Sequence, residues 1–148
     1  MRLEITRRTD LATRAFLHLA DQGERTKSSA LAEAVGTSPG FLSQAMTPLV
    51  AAGWVRSDPG PTGGYTALAD PTTVSVLDVI EAVEGPTDTG RCVLEDRPCA
   101  GGAVCALHRP WSSARAQLLE ELGSTPLASL LTAGRCCLTT PSPAPRWA

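Results

Sequence analysis

Apolar side chains return at helical spacing in five stretches of the chain. In 9–22, Leu11, Ala12, Ala15, Phe16, Leu19 and Ala20 share one face, and Gly23 follows as a stop. A shorter helix is expected after Ser28 or Ser29, with Leu31, Ala32 and Val35 inward and Gly36 at its end. A third opens with Ser38 as N-cap and Pro39 at the first helical position. Phe41, Leu42, Ala45, Leu49 and Ala52 form its apolar face, Pro48 is expected to bend it, and Gly53 stops it. Residues 54–57 and 64–68 read as two strands around a loop of turn residues, Asp58 to Gly64. Ser75 and Asp78 have capping-box spacing ahead of a helix ending at Glu84. Residues 86–110 show no periodicity. Helical spacing resumes with Trp111, Ala114, Leu118, Leu119 and Leu122, and Ser124-Thr125-Pro126 caps a last short helix through Leu131.

Two short helices joined by a turn at Gly36, followed at once by a hairpin, predict a winged helix-turn-helix. The expected fold is mainly α with a small β-hairpin wing, followed by a dimerisation helix. The expected organisation is a DNA-binding domain over 1–85, a cysteine-rich loop over 86–110 and a dimerisation helix with a short C-terminal helix over 111–133. A loose tail with Pro141, Pro143 and Pro145 is expected over 134–148.

Composition narrows the classes. Hydrophobic residues make up 43% and charged residues 19%, enough for a core and too few charges for a disordered chain. No apolar run reaches membrane-span length, and the first residues lack the apolar core of a signal peptide. A cytoplasmic protein without membrane contact is expected. The net charge of −2 carries no basic stripe, although residues 1–60 are less acidic than the remainder. A nucleic-acid reading therefore rests on architecture. No nucleophile–base constellation or phosphate-binding glycine loop is present, so no enzyme is expected.

The chemistry lies in three of the five cysteines. Cys92, Cys99 and Cys105 follow the spacing C-x6-C-x5-C, with His108 three residues beyond, in a loop rich in Gly and Pro. In a reducing compartment such a cluster reads as a metal site rather than disulfides. Structural zinc sites usually pair cysteines two to four residues apart; gaps of six and five suit the larger iron–sulfur cluster better. Zinc or a thiol switch is the alternative. Cys136 and Cys137, adjacent in sequence, read as incidental.

Met1-Arg2-Leu3, Thr9-Asp10-Leu11, Gly63-Gly64-Tyr65, the three-cysteine loop and the helix after it resemble the IscR/NsrR family of bacterial regulators, over about residues 1–132. The resemblance implies a homodimer that binds a double-stranded DNA operator, with binding controlled by the state of a cluster sensing redox, nitric oxide or iron supply. His108 is the fourth ligand if the loop follows the IscR pattern, favouring a 2Fe–2S centre. Asp10, whose counterpart in NsrR-like dimers reaches the partner's cluster, is the rival and goes with 4Fe–4S. In the absence of the resemblance, Asp10 reads as the N-cap of the first helix. The chain departs from the family in its first cysteine gap, which is one residue longer, and in Pro59, which stands where IscR-like wings carry an arginine.

The candidate base-reading positions are Ser38, Gly40, Ser43, Gln44 and Thr47, on the polar face of the third helix. A Gln can bond an adenine edge bidentately, and Ser or Thr serves several bases. Arg2, Arg7, Arg8, Lys27 and Arg56 are the candidate phosphate contacts.

Overall fold

The computed structural model describes residues 4–94, 98 and 105–132. In chain order the elements are α1 (Arg7–Gln22), β1 (Thr26–Lys27), α2 (Ser28–Val35), α3 (Pro39–Ala51), β2 (Val55–Asp58), β3 (Gly64–Ala67), α4 (Val76–Glu84), α5 (His108–Ser124) and α6 (Ala128–Thr132). The expected class, mainly α with a small β wing, is what the chain adopts.

α1 is the helix around which the rest packs, touching α2, α3, α4 and β3. Leu11, Ala12, Ala15, Phe16, Leu17 and Leu19 are buried, and they meet Leu31 and Ala32 of α2 and Leu42, Ala45, Met46 and Leu49 of α3. Val79 and Val83 close the core from α4. Four partly polar helices bury one stripe each against a common centre, the usual solution for a small helical domain. Between α2 and α3 the chain reverses at Gly36, whose φ of 72° is costly for any residue with a side chain. Its N–H bonds to the carbonyls of Ala32 and Glu33 and closes the helix end.

Several boundaries differ from those read in the sequence. α1 starts two residues earlier than expected, because Thr6 is its N-cap: its side chain accepts from the Thr9 amide. Asp10 is thus not a cap but lies in the first turn, paired with Arg14 at 3.0 Å. The hairpin gains a third strand, β1, giving an antiparallel sheet of order β1-β3-β2 with Thr26 opposite Tyr65 and Val55 opposite Ala67. Two residues are too few to leave a periodic signal. α5 begins at His108 rather than Trp111.

The capping box of α4 forms as its spacing predicts. The Ser75 amide donates to Asp78 Oδ2 at 2.8 Å and the Asp78 amide to Ser75 Oγ at 3.1 Å. The chain returns here after α5: the Val76 amide bonds to the Thr125 carbonyl, and the Leu127 amide to Val74. With Leu127 fully buried, the end of α5 is fixed to the start of α4.

β1 can lie against β3 only because Gly64 has no side chain. A Cβ there would stand 2.3 Å from the Thr26 carbonyl oxygen. Gly64→Ala should therefore lower stability by about 1–3 kcal/mol, the usual cost of forcing atoms into filled space. Gly40→Ala, at a helical position with nothing within 4 Å of the added carbon, should raise it slightly. Thermal unfolding of both variants checks this, and equal stability of the two would contradict it.

Candidate nucleic-acid interface and thiolate cleft

α3 presents an exposed polar face. Ser38, Gly40, Ser43, Gln44 and Thr47 are all solvent-exposed on it, while Leu42, Ala45, Met46 and Leu49 face the core. Two of the five are partly committed to the helix itself. Ser38 Oγ accepts from the Phe41 amide at 3.3 Å, and the Thr47 hydroxyl donates to the Ser43 carbonyl at 2.8 Å. The Gln44 amide and the Ser43 hydroxyl project from the middle of the face. Beside it, an open groove of about 590 Å³ runs between Arg7, the turn at Gly36–Ser38 and Phe41.

α3 itself carries no charge, and the cations come from elsewhere. Arg7 lies over the Phe41 ring, 5.8 Å from its centroid. Arg8 donates to the Gln44 carbonyl from Nε at 3.2 Å and Nη2 at 2.9 Å. On the wing, Arg56 stands 3.5 Å from Asp58, a loose surface pair of small worth. The loop without basic residues nevertheless has a guanidinium against it: Arg25, ahead of β1, donates to the Thr62 carbonyl at 3.1 Å. Lys27 is exposed just before α2. Arg2 lies outside the described residues.

The second site is a cleft of about 120 Å³ between the segment after α4 and the start of α5. Cys92 and Cys105 meet in it, their Sγ atoms 3.6 Å apart, well beyond the roughly 2.05 Å of a disulfide. The Leu94 amide points at Cys92 Sγ from 3.5 Å. His108, Trp111, Arg91 and Arg115 share the walls. His108 opens α5, its amide bonded to the Cys105 carbonyl at 3.0 Å, so Cys105 sits just ahead of the positive end of a long helix. Arg115 pairs with Asp88 at 2.8 Å, tying the segment after α4 to α5. The Gly90 amide first, and Arg115 as well, hold the Asp88 carboxyl below the ordinary carboxylate range. Among the described residues no three metal-ligating side chains gather into one group. Cys99 lies outside those residues, as do Cys136 and Cys137. Asp10 is on α1, held by Arg14.

A hydrogen-bonded latch joins the two sites. Glu84, the last residue of α4, accepts from the Thr6 amide at 2.9 Å and from the Thr9 hydroxyl. Thr9 is buried, and its amide in turn donates to Thr6 Oγ1 at 3.2 Å. The chain leaves Glu84 directly into the segment that carries Cys92. No local pattern signals this contact, since its partners stand 75 and 78 residues apart.

Comparison with known proteins places this architecture. The family model for Rrf2, iron-dependent transcriptional regulators, matches residues 5–133. The chain belongs to the Rrf2 family. It is 30% identical over 132 residues to the HTH-type transcriptional regulator IscR of Vibrio vulnificus, covering 88% of this chain and 78% of that one. It is also similar to the solved structure of CymR, the global cysteine regulator of B. subtilis, at TM-score 0.71 and 28% identity, covering 90% and 99% of the two chains. T. potens IscR shares the fold at TM-score 0.69 and 24% identity, covering 88% of each chain. As a member of the Rrf2 family the chain is a DNA-binding transcription regulator, and no helix among the described residues is long and apolar enough to cross a membrane.

In this Rrf2 chain the latch is sensitive to acid. Partial burial raises the Glu84 carboxyl, but the bonds from Thr9 and Thr6 outweigh it and leave the group below the ordinary glutamate range. A lowered carboxylate stabilises the fold above its unfolded value of about 4.3 and loses that contribution as pH falls through the lower folded value. Glu84→Gln should unfold more easily than the wild type near neutral pH, with the gap closing as pH drops below about 4. Unfolding midpoints measured from pH 7 downward check this, and a gap independent of pH would contradict it.

Proposed function

We propose that this Rrf2-family regulator binds its operator as a homodimer, through α3 and the wing, under the control of an iron–sulfur cluster held by Cys92, Cys99 and Cys105. The observation that carries the reading is the thiol pair. Two thiolates on one tetrahedral metal, with metal–sulfur bonds of about 2.3 Å, stand about 3.8 Å apart. Cys92 and Cys105, distant in sequence, stand at 3.6 Å. The donor set fits, because thiolates suit iron–sulfur centres and the cleft lies at the N-terminus of α5, whose dipole favours a negatively charged group.

His108 is the fourth ligand in this reading. It lines the same cleft, while Asp10 is engaged by Arg14. Two thiolates close enough to share one metal also favour a 2Fe–2S centre over a cubane, in which each iron takes one protein ligand. When bound, the cluster supplies an iron site that reacts with oxidants or nitric oxide and a state that can be lost. The chain supplies the linkage. With Cys92 and Cys105 tied together, the segment after Glu84 is fixed against α5, and Glu84 keeps its hold on the first turn of α1. Released thiolates remove one anchor from that segment, and the change reaches α1 and then α3.

The dimer is supported by α5. This 17-residue helix buries no residue within the single chain, and Leu118 is 41% exposed on it. An apolar face left uncovered on a long helix suits an isologous contact with a second copy. The same 3.6 Å thiol pair is compatible with one other reading, a winged-helix regulator whose cysteines hold zinc or act as a thiol switch.

Cys92→Ala, Cys99→Ala or Cys105→Ala should each abolish visible absorption and change operator affinity together. His108→Ala should shift the spectrum, whereas Asp10→Ala should leave it unchanged. Anaerobic absorption spectra with gel-shift titrations check this. Operator binding that is the same in the holo-protein and in a triple cysteine variant would remove the sensing role.

A further inference from the structure

α3 contains a defect in its hydrogen bonding, and the fold supplies the repair. Pro48 lies inside the helix and has no N–H. The carbonyl it would serve, four residues back, is that of Gln44, and the proline ring crowds the same oxygen. Gln44 is the most versatile base-reading side chain on the exposed face, so the defect falls at the centre of that face. A helix interrupted in this way bends or loses a turn unless another donor reaches the carbonyl.

Arg8 is that donor. Its guanidinium, brought in on the first turn of α1, gives the Gln44 oxygen two N–H bonds, at 3.2 and 2.9 Å. A charged donor makes a stronger bond than the amide it replaces, and it can draw the carbonyl outward, away from the proline ring. The α1–α3 packing that sets this approach includes Leu11, Ala12 and Leu42, all buried. The neighbouring Arg7 lies over Phe41 on the same helix, so two successive residues of α1 fasten to α3 one turn apart.

We propose that Arg8 is a positioning residue of the recognition helix. It replaces the donor that Pro48 lacks, and so fixes the backbone at Gln44 and the direction in which Ser43 and Gln44 meet the bases. The part about base reading rests on α3 being the DNA-reading helix; the part about Arg8 and Pro48 does not.

The test is a cycle in the full-length chain of Arg8→Ala, Pro48→Ala and the double variant, with Arg8→Lys as the milder change. Thermal unfolding is measured at one protein concentration. Arg8→Ala should lower the midpoint clearly when Pro48 is present, and much less in the Pro48→Ala background, where an N–H is restored to the helix. Arg8→Lys keeps the charge but offers one compact donor group in place of the planar fork, and should fall between. Equal losses from Arg8→Ala in both backgrounds, or no loss in either, would overturn the proposal.

A randomised duplex DNA pool, sequenced after binding, supplies the second readout. Arg8→Ala should broaden the sequence preference beyond any uniform loss of affinity, and adding Pro48→Ala should narrow it again. Thermal coupling with an unchanged preference would overturn the role in base reading while leaving the backbone repair in place.

Discussion

The first turn of α1 has amide donors that no residue inside the helix can meet, and the way they are met organises the molecule. Thr6 takes the Thr9 amide, while Glu84 takes the Thr6 amide and the Thr9 hydroxyl. A carboxylate at the positive end of a helix is favourable in itself. Here it also fastens the end of α4 to the start of α1 across most of the domain. Arg7 and Arg8, between Thr6 and Thr9, fasten that same turn to α3. One turn of helix thus joins the segment leading to the cysteines with the face proposed to meet DNA.

This arrangement gives the proposed control a physical route. It runs through contiguous contacts: Cys92 and Cys105 across the cleft, Asp88 to Arg115 on α5, Glu84 to α1, and Arg8 to α3. α5 belongs to the route at both ends. Its start forms a wall of the thiol cleft, and its end is bonded to the start of α4. A disturbance of the cleft therefore acts on both termini of α4, whose side chains Val79 and Val83 lie in the common core. Packed cores tend to respond to such strain by shifting between discrete arrangements rather than by deforming smoothly.

Much of the fold was legible in the sequence, because it is written in local signals. Helical periodicity marked α1 to α5, and Ser38 with Pro39 and Ser75 with Asp78 marked two helix starts. The hairpin was legible from its turn residues. β1 was not, since two residues carry no period, and its place depends on Gly64 leaving room for Thr26. Asp10 read as a cap because the apolar periodicity starts beside it; the helix begins earlier, capped by Thr6, and Arg14 pairs with Asp10.

The sites divide in the same way. Cys92 and Cys105 stood out from residue type and spacing, and their Sγ atoms lie 3.6 Å apart. The cations around α3 and the wing were not placed, because Arg8 and Arg25 act on carbonyls 36 and 37 residues away. One signal was available: a proline four residues after Gln44 leaves that carbonyl in need of a donor. Nothing local pointed to Glu84 or Arg115, whose partners are fixed by packing alone.

In the proposed function the cysteine cleft holds iron and sulfide and is joined through Glu84 and α1 to the proposed DNA-reading helix. Anaerobic purification followed by visible absorption and by iron, sulfide and zinc analysis tests it most directly. The account predicts a brown protein with iron and acid-labile sulfide in equal amounts. A colourless protein containing zinc, or neither metal nor sulfide, would contradict it.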